Sequence, residues 1–122
     1  MIKFVAAAVA GMTVLGTVAG QKDTEAQDRQ QLKDFQTAYE KAKKSLAAHP
    51  KSTSARHEFV VSTDRLATAT MTSLVLGPKD KYPKALRLYR EALKIDPKNR
   101  EASSNAKLIE DVYRSMHRPI PH

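Results

Sequence analysis

Four histidines and no cysteine bound the chemistry open to this chain of 122 residues. His49 precedes a proline at a turn, His57 stands beside Glu58 in a helical pattern, and His117 and His122 lie in the C-terminal tail. No two of them have the i, i+4 spacing that would aim two imidazoles at one metal from a single helix face. Without cysteine there is no thiolate ligand, no thiol nucleophile and no disulfide. No serine is flanked by glycines in the manner of a nucleophile elbow. Gly77, the one glycine beyond residue 20, cannot by itself cradle a phosphate. Asp64 and Glu58 fall on neighbouring turns of one predicted helix, where two carboxylates read as a solvated face. No reaction-class geometry assembles from these parts, so the expectation is a non-enzyme with no cofactor and no metal.

Charge is the stronger compositional signal. Lys and Arg number 21 against 13 Asp and Glu, a formal net charge of +8. Lys79, Lys81, Lys84, Arg87, Arg90, Lys94, Lys98 and Arg100 cluster in one stretch. Such a cluster offers an electropositive surface for acidic proteins, anionic envelope polymers or lipid heads. It also simply keeps a helical protein soluble, and that reading is preferred. Nucleic acid is disfavoured, because no aromatic residues are interleaved for base stacking.

The elements that must position any site are helical. Glycine is scarce, alanine, lysine and leucine are common, and the length allows one domain at most. Residues 1–20 read as a targeting segment: Lys3, an uncharged apolar run from Phe4 to Ala19, then small residues before the polar Gln21. That run falls short of the roughly 20 residues of a membrane span. Cleavage after Ala19 or Gly20 is therefore expected, giving a secreted or periplasmic protein, with membrane attachment only if the segment is retained. Residues 21–29 are polar and expected to be flexible.

From residue 30 to 118 the periodicity predicts four helices. The first places Leu32, Phe35, Ala38, Tyr39, Ala42 and Leu46 on one face, pairs Glu40 with Lys44, and ends at His49-Pro50. The second is capped by Ser52, Thr53 or Ser54, carries Ala55, Phe59 and Leu66 inward, and fades after about Met71 among poor helix formers. A loop through Gly77-Pro78-Lys79-Asp80 follows, with Asp80 as N-cap and Pro83 in the first turn of the third helix. That helix has two apolar stripes, Tyr82, Ala85, Leu86, Tyr89, Ala92 and Leu93 on one side and Leu88 with Ile95 on the other. It closes at Asp96-Pro97. The fourth runs from an Asn99 cap with Ala102, Ala106, Ile109, Tyr113 and Met116 inward, Leu108 and Val112 beside them, and Lys107–Asp111 and Glu110–Arg114 outside. Residues 119–122 are expected to trail off as a flexible tail.

The third helix resembles the second helix of a tetratricopeptide repeat, through Tyr82, Ala85, Tyr89, Ala92, Leu93 and the closing Asp96-Pro97. Phe35, Ala38, Ala42, Leu46 and Pro50 repeat the pattern in weaker form. Pro50 and Pro97 lie about 47 residues apart, so against a family period of about 34 an insertion of roughly 13 residues stands between them. The resemblance implies an all-α, short stack of about four antiparallel helices acting as a protein-interaction scaffold. Its partner is then a peptide or helix of another protein, or a second copy of the chain. Arg56, Asp64 and Arg65 on the long second helix, with Lys84 and Arg87 on the basic face of the third, are the candidate contact residues. The competing expectation is a basic helical domain that holds anionic envelope polymers or lipid surfaces by charge.

Overall fold

A computed structural model describes the backbone of residues 12–122 and the side chains of residues 23–122. The expected targeting segment, residues 1–20, lies outside the residues whose side chains are described. Four helices follow one another: α1 (Met12–Ala48), α2 (Thr53–Met71), α3 (Pro78–Ile95) and α4 (Arg100–Ser115). Among the described residues there is no strand. The protein is all-α, as expected.

Short connections force successive helices to run antiparallel. Asp28 near the start of the described part of α1 meets Ser73 just past the end of α2, and Arg56 at the start of α2 meets Ile95 at the end of α3. Each helix packs chiefly on its chain neighbours, α1 on α2, α2 on α3 and α3 on α4. Small residues make the close approach possible: Ala67, Ala85, Ala92 and Ala102 are completely buried, beside Leu66, Leu86 and Tyr89. The two stripes of α3 are both used, since Tyr89 and Leu88 are each buried.

The helix ends follow local chemistry. Ser52 caps α2 by accepting from the Ala55 N–H at 3.2 Å, and Asn99 caps α4 by accepting from the Ala102 N–H at 3.2 Å. α2 stops at Met71, where Thr70 and Thr72 turn their hydroxyls back onto the Leu66 and Thr68 carbonyls. α3 starts earlier than expected. Gly77, not Asp80, is the N-cap, and Pro78 takes a first-turn position where its missing N–H has no partner to lose. Asp80 becomes an acidic residue of the first turn, favourable to the helix dipole, and Pro83 falls inside the helix.

Both segments expected to be flexible are structured. Residues 23–29 continue α1 without a break, because Asp28 accepts the Ser73 hydroxyl at 2.7 Å and Glu25 pairs with Arg29 at 3.7 Å. The tail folds back on α3: Arg90 donates to the Pro121 carbonyl at 2.7 Å and Ile120 packs on the core. The turn that sends it back is a Schellman motif. His117 has φ 55°, its N–H reaches the Arg114 carbonyl, and the Arg118 N–H reaches that of Tyr113 at 3.0 Å.

Several expected surface pairs are replaced. Glu110 pairs with Arg90 across the α3–α4 interface at 3.1 Å, and Arg114 pairs with Asp111 at 2.8 Å. Gln36, not Lys44, is the partner of Glu40.

Candidate functional site

The five residues expected to contact a partner do not converge. Arg65 and Arg87 are exposed. Lys84 donates to Gln36 of α1 at 3.2 Å, and Arg56 reaches the Pro50 and Ile95 carbonyls at 3.5 Å each. Asp64 is turned inward at 8% exposure, where Asn99 Nδ2 donates to its Oδ2 at 2.5 Å. Its Oδ1 and the neighbouring Thr63 hydroxyl are buried without a partner. Burial raises the Asp64 carboxyl above the usual carboxylate range; the Asn99 hydrogen bond opposes this, while Glu101 and Asp96 reinforce it.

The basic cluster is partly consumed by the fold. Lys81 donates to the Ser73 carbonyl at 3.0 Å, Lys84 to Gln36, and Arg90 to Glu110 and Pro121. Lys79, Arg87, Lys94, Lys98 and Arg100 remain exposed.

A polar seam joins α2, α3 and α4. Thr68 Oγ1 donates to Glu101 Oε1 at 3.0 Å and lies 2.6 Å from the Tyr89 hydroxyl, which accepts from Asn105 Nδ2 at 2.9 Å. The single Thr68 proton goes to the carboxylate, so Tyr89 donates to Thr68. Desolvation raises the Tyr89 hydroxyl, reinforced by Glu101 and Asp64 and opposed by the hydrogen bond that Asn105 donates. On the other side of the stack the Tyr39 hydroxyl donates to Glu91 at 2.7 Å, and burial, with that carboxylate, raises it too. These groups fasten helices together. Among the described residues no group of three or more His, Asp or Glu stands ready to hold a metal.

Leu74 is exposed singly in the α2–α3 connection, whereas the outer side of α4 exposes several large apolar side chains together. Leu108, Val112 and Met116 recur at every fourth position and are 55%, 42% and 48% exposed. Met116, expected inside, is the C-cap just past the last helical residue of α4 and stays out, while Ala102, Ala106 and Ile109 fill the inward side. Val112 and Met116 also wall a cleft of about 190 Å³ with Pro78, Tyr82, Ile109 and Tyr113. Stripe and cleft adjoin at the end of the stack where α3 begins and α4 ends, an apolar surface edged by Lys79 and Arg118. Periodicity placed these residues on α4 or α3, except Pro78, which read as loop, but it did not give the open face, which depends on which helices pack against α4.

Comparison with protein-family models, with curated proteins and with solved structures finds no match to this chain. Among the described residues no helix is long and apolar enough to cross a membrane.

Proposed function

We propose that the chain is a non-catalytic protein-interaction module, an exported tetratricopeptide-like stack that docks an amphipathic helix of another protein on the open face of α4. The observation that carries this reading is the Leu108, Val112 and Met116 stripe beside the Tyr82–Tyr113 cleft. In a repeat stack a first-type helix is covered by the second helix of its own repeat, and among the described residues no helix covers this side of α4. Burying three large apolar side chains and lodging one partner side chain in the cleft is the helix-in-groove mode of recognition. The repeat assignment is supported by the signature positions Ala85, Tyr89 and Ala92, all fully buried, with Tyr82 and Leu93 partly so and Pro97 just past the Asp96 C-cap. Export rests on the composition of residues 1–20.

The test is affinity capture from an envelope extract, with the chain produced with and without residues 1–20 and washed at low and then high salt. A partner held through high salt by the wild type, and released by Val112→Asp with Met116→Asp, supports the module. Both substitutions are on exposed side chains, and an unchanged thermal melt checks that the fold survives. Binding that is lost at high salt and indifferent to the α4 variant would instead favour the charge-driven reading, anionic envelope polymer or lipid held by the exposed lysines and arginines.

A further inference from the structure

A second cleft lies at the opposite end of the stack, where α1 and α3 end and α2 begins. It has a volume of about 500 Å³, within the range of roughly 300–1,000 Å³ typical of small-molecule sites. Its floor is hydrocarbon contributed by three helices: Leu46 and Ala47 from α1, Phe59 from α2 and Ile95 from α3. Phe59 is held in place by the Tyr39 ring, 5.9 Å away centroid to centroid. Its rim carries one cation from each helix, Lys43, Arg56 and Lys94.

The charge on that rim is only partly balanced from within. Glu91, the one carboxylate in the lining, offsets one of the three cations and accepts the Tyr39 hydroxyl at 2.7 Å, and the Lys43 ammonium lies 5.7 Å from the centroid of the Tyr39 ring. Among the described residues none of the three cations forms an ion pair. Arg56 spends two of its five N–H donors on the Pro50 and Ile95 carbonyls, which anchors the guanidinium at the mouth and leaves donors over. The C-terminal helix carbonyls nearby are partly answered too, with the His49 N–H on Ser45 and the Asp96 N–H on Ala92.

We propose that this cleft binds a single-chain carboxylate amphiphile, its aliphatic chain on the Leu46, Phe59 and Ile95 floor and its head group among Lys43, Arg56 and Lys94. An inorganic anion would leave the apolar floor unused. An extended peptide would bring an N–H and a C=O with every residue onto a floor with no polar group to meet them, at a desolvation cost. An alkyl chain brings neither. The site is separate from the α4 face and stands or falls without it.

The experiment is an amide-resolved NMR titration of the full chain with octanoate, decanoate and dodecanoate, below their aggregation limits. The expected result is saturable shifts at Lys43, Leu46, Phe59 and Ile95, with affinity rising roughly five- to fifteen-fold per two added carbons. Lys43→Gln with Lys94→Gln, two exposed positions, should weaken dodecanoate roughly ten-fold without moving the thermal melt. Dodecyltrimethylammonium, equal in chain and opposite in charge, should bind far more weakly. The proposal is overturned if that cation binds as well as dodecanoate, or if the shifts centre on Val112 and Met116. It is also overturned if the protein associates only with phosphatidylglycerol vesicles and shows no saturable binding of the free carboxylate.

Discussion

The Tyr89 hydroxyl lies 2.6 Å from Thr68 Oγ1, so the ring that fills the middle of the stack ends in a polar chain running from Asn105 to Glu101. One residue of α3 thereby supplies both the apolar filling between α2 and α4 and the hydrogen bonds that set their register. The two roles separate by substitution. Tyr89→Phe keeps the ring and leaves Asn105 without its acceptor, at an expected cost of about 1–2 kcal/mol. Tyr89→Ala also empties a fully buried aromatic site, at about 3–5 kcal/mol. Urea denaturation of the pair measures the difference, and a fully folded Tyr89→Ala chain with wild-type stability would disprove the buried α3 face.

Asp64 makes the stability depend on pH in a defined direction. Its folded pKa is raised above the unfolded value of 3.8, chiefly by burial. Above pH 3.8 the folded state therefore binds more protons than the unfolded one. The contribution of this group is complete below that pH and is lost as the pH rises through the folded value. Asp64→Asn cannot ionise, so the wild type should lose stability relative to it as the pH rises above 3.8. Identical slopes in the two proteins would remove Asp64 from the account.

His117 holds a left-handed conformation, φ 55°, at the C′ position after α4. A residue with a Cβ is strained there, and glycine is not. His117→Gly should raise stability by about 0.5–1 kcal/mol, net of the extra freedom that glycine gives the unfolded chain. A calorimetric melt at matched pH reads the shift, and a lower melting temperature for the glycine variant contradicts the strain argument.

Arg90 ties the tail to the stack through Pro121 and Glu110. Arg90→Ala should cost about 1.5–3 kcal/mol, the range for charge-assisted hydrogen bonds to a partly buried group. Removing residues 119–122 should cost part of the same energy, because the two changes break one shared contact. In a double-mutant cycle the combined loss should be smaller than the sum of the single losses, and strict additivity would show that tail and Arg90 act independently.

How much of this was legible in the sequence depended on distance along the chain. The Asn99 cap, the stop at Met71 and the Asp96-Pro97 closure are decided within four or five residues, and each was readable; the α2 cap was narrowed to Ser52, Thr53 or Ser54, and packing selects Ser52. The start of α3 offered two local signals, Gly77-Pro78 and Asp80. The hairpin chose the earlier one: Ser73 Oγ takes the Val75 and Leu76 N–H groups, and the Ser73 carbonyl takes Lys81. Ser73 to Asp28 and Arg90 to Pro121 are long-range pairs of ordinary polar residues. No periodicity announces them, so residues 21–29 and 119–122 read as loose. Asp64 read as surface for a related reason, since its inward turn is set by the Asn99 cap of another helix. The 500 Å³ cleft draws its lining from three helices at once, and only their packing brings Lys43, Arg56 and Lys94 together.

Because each helix packs chiefly on its neighbour in the chain, no large loop must close before the first productive contact forms. Such local topology places folding in the microsecond-to-millisecond range. It also makes the structure open from its ends. α4, with the stack on one side and water on the other, should exchange its amide hydrogens at a lower opening free energy than α2 and α3 between it and α1. An apolar face on the element that lets go first is available to a partner in a chain still mostly folded, and a ligand that covers it would slow exchange throughout α4.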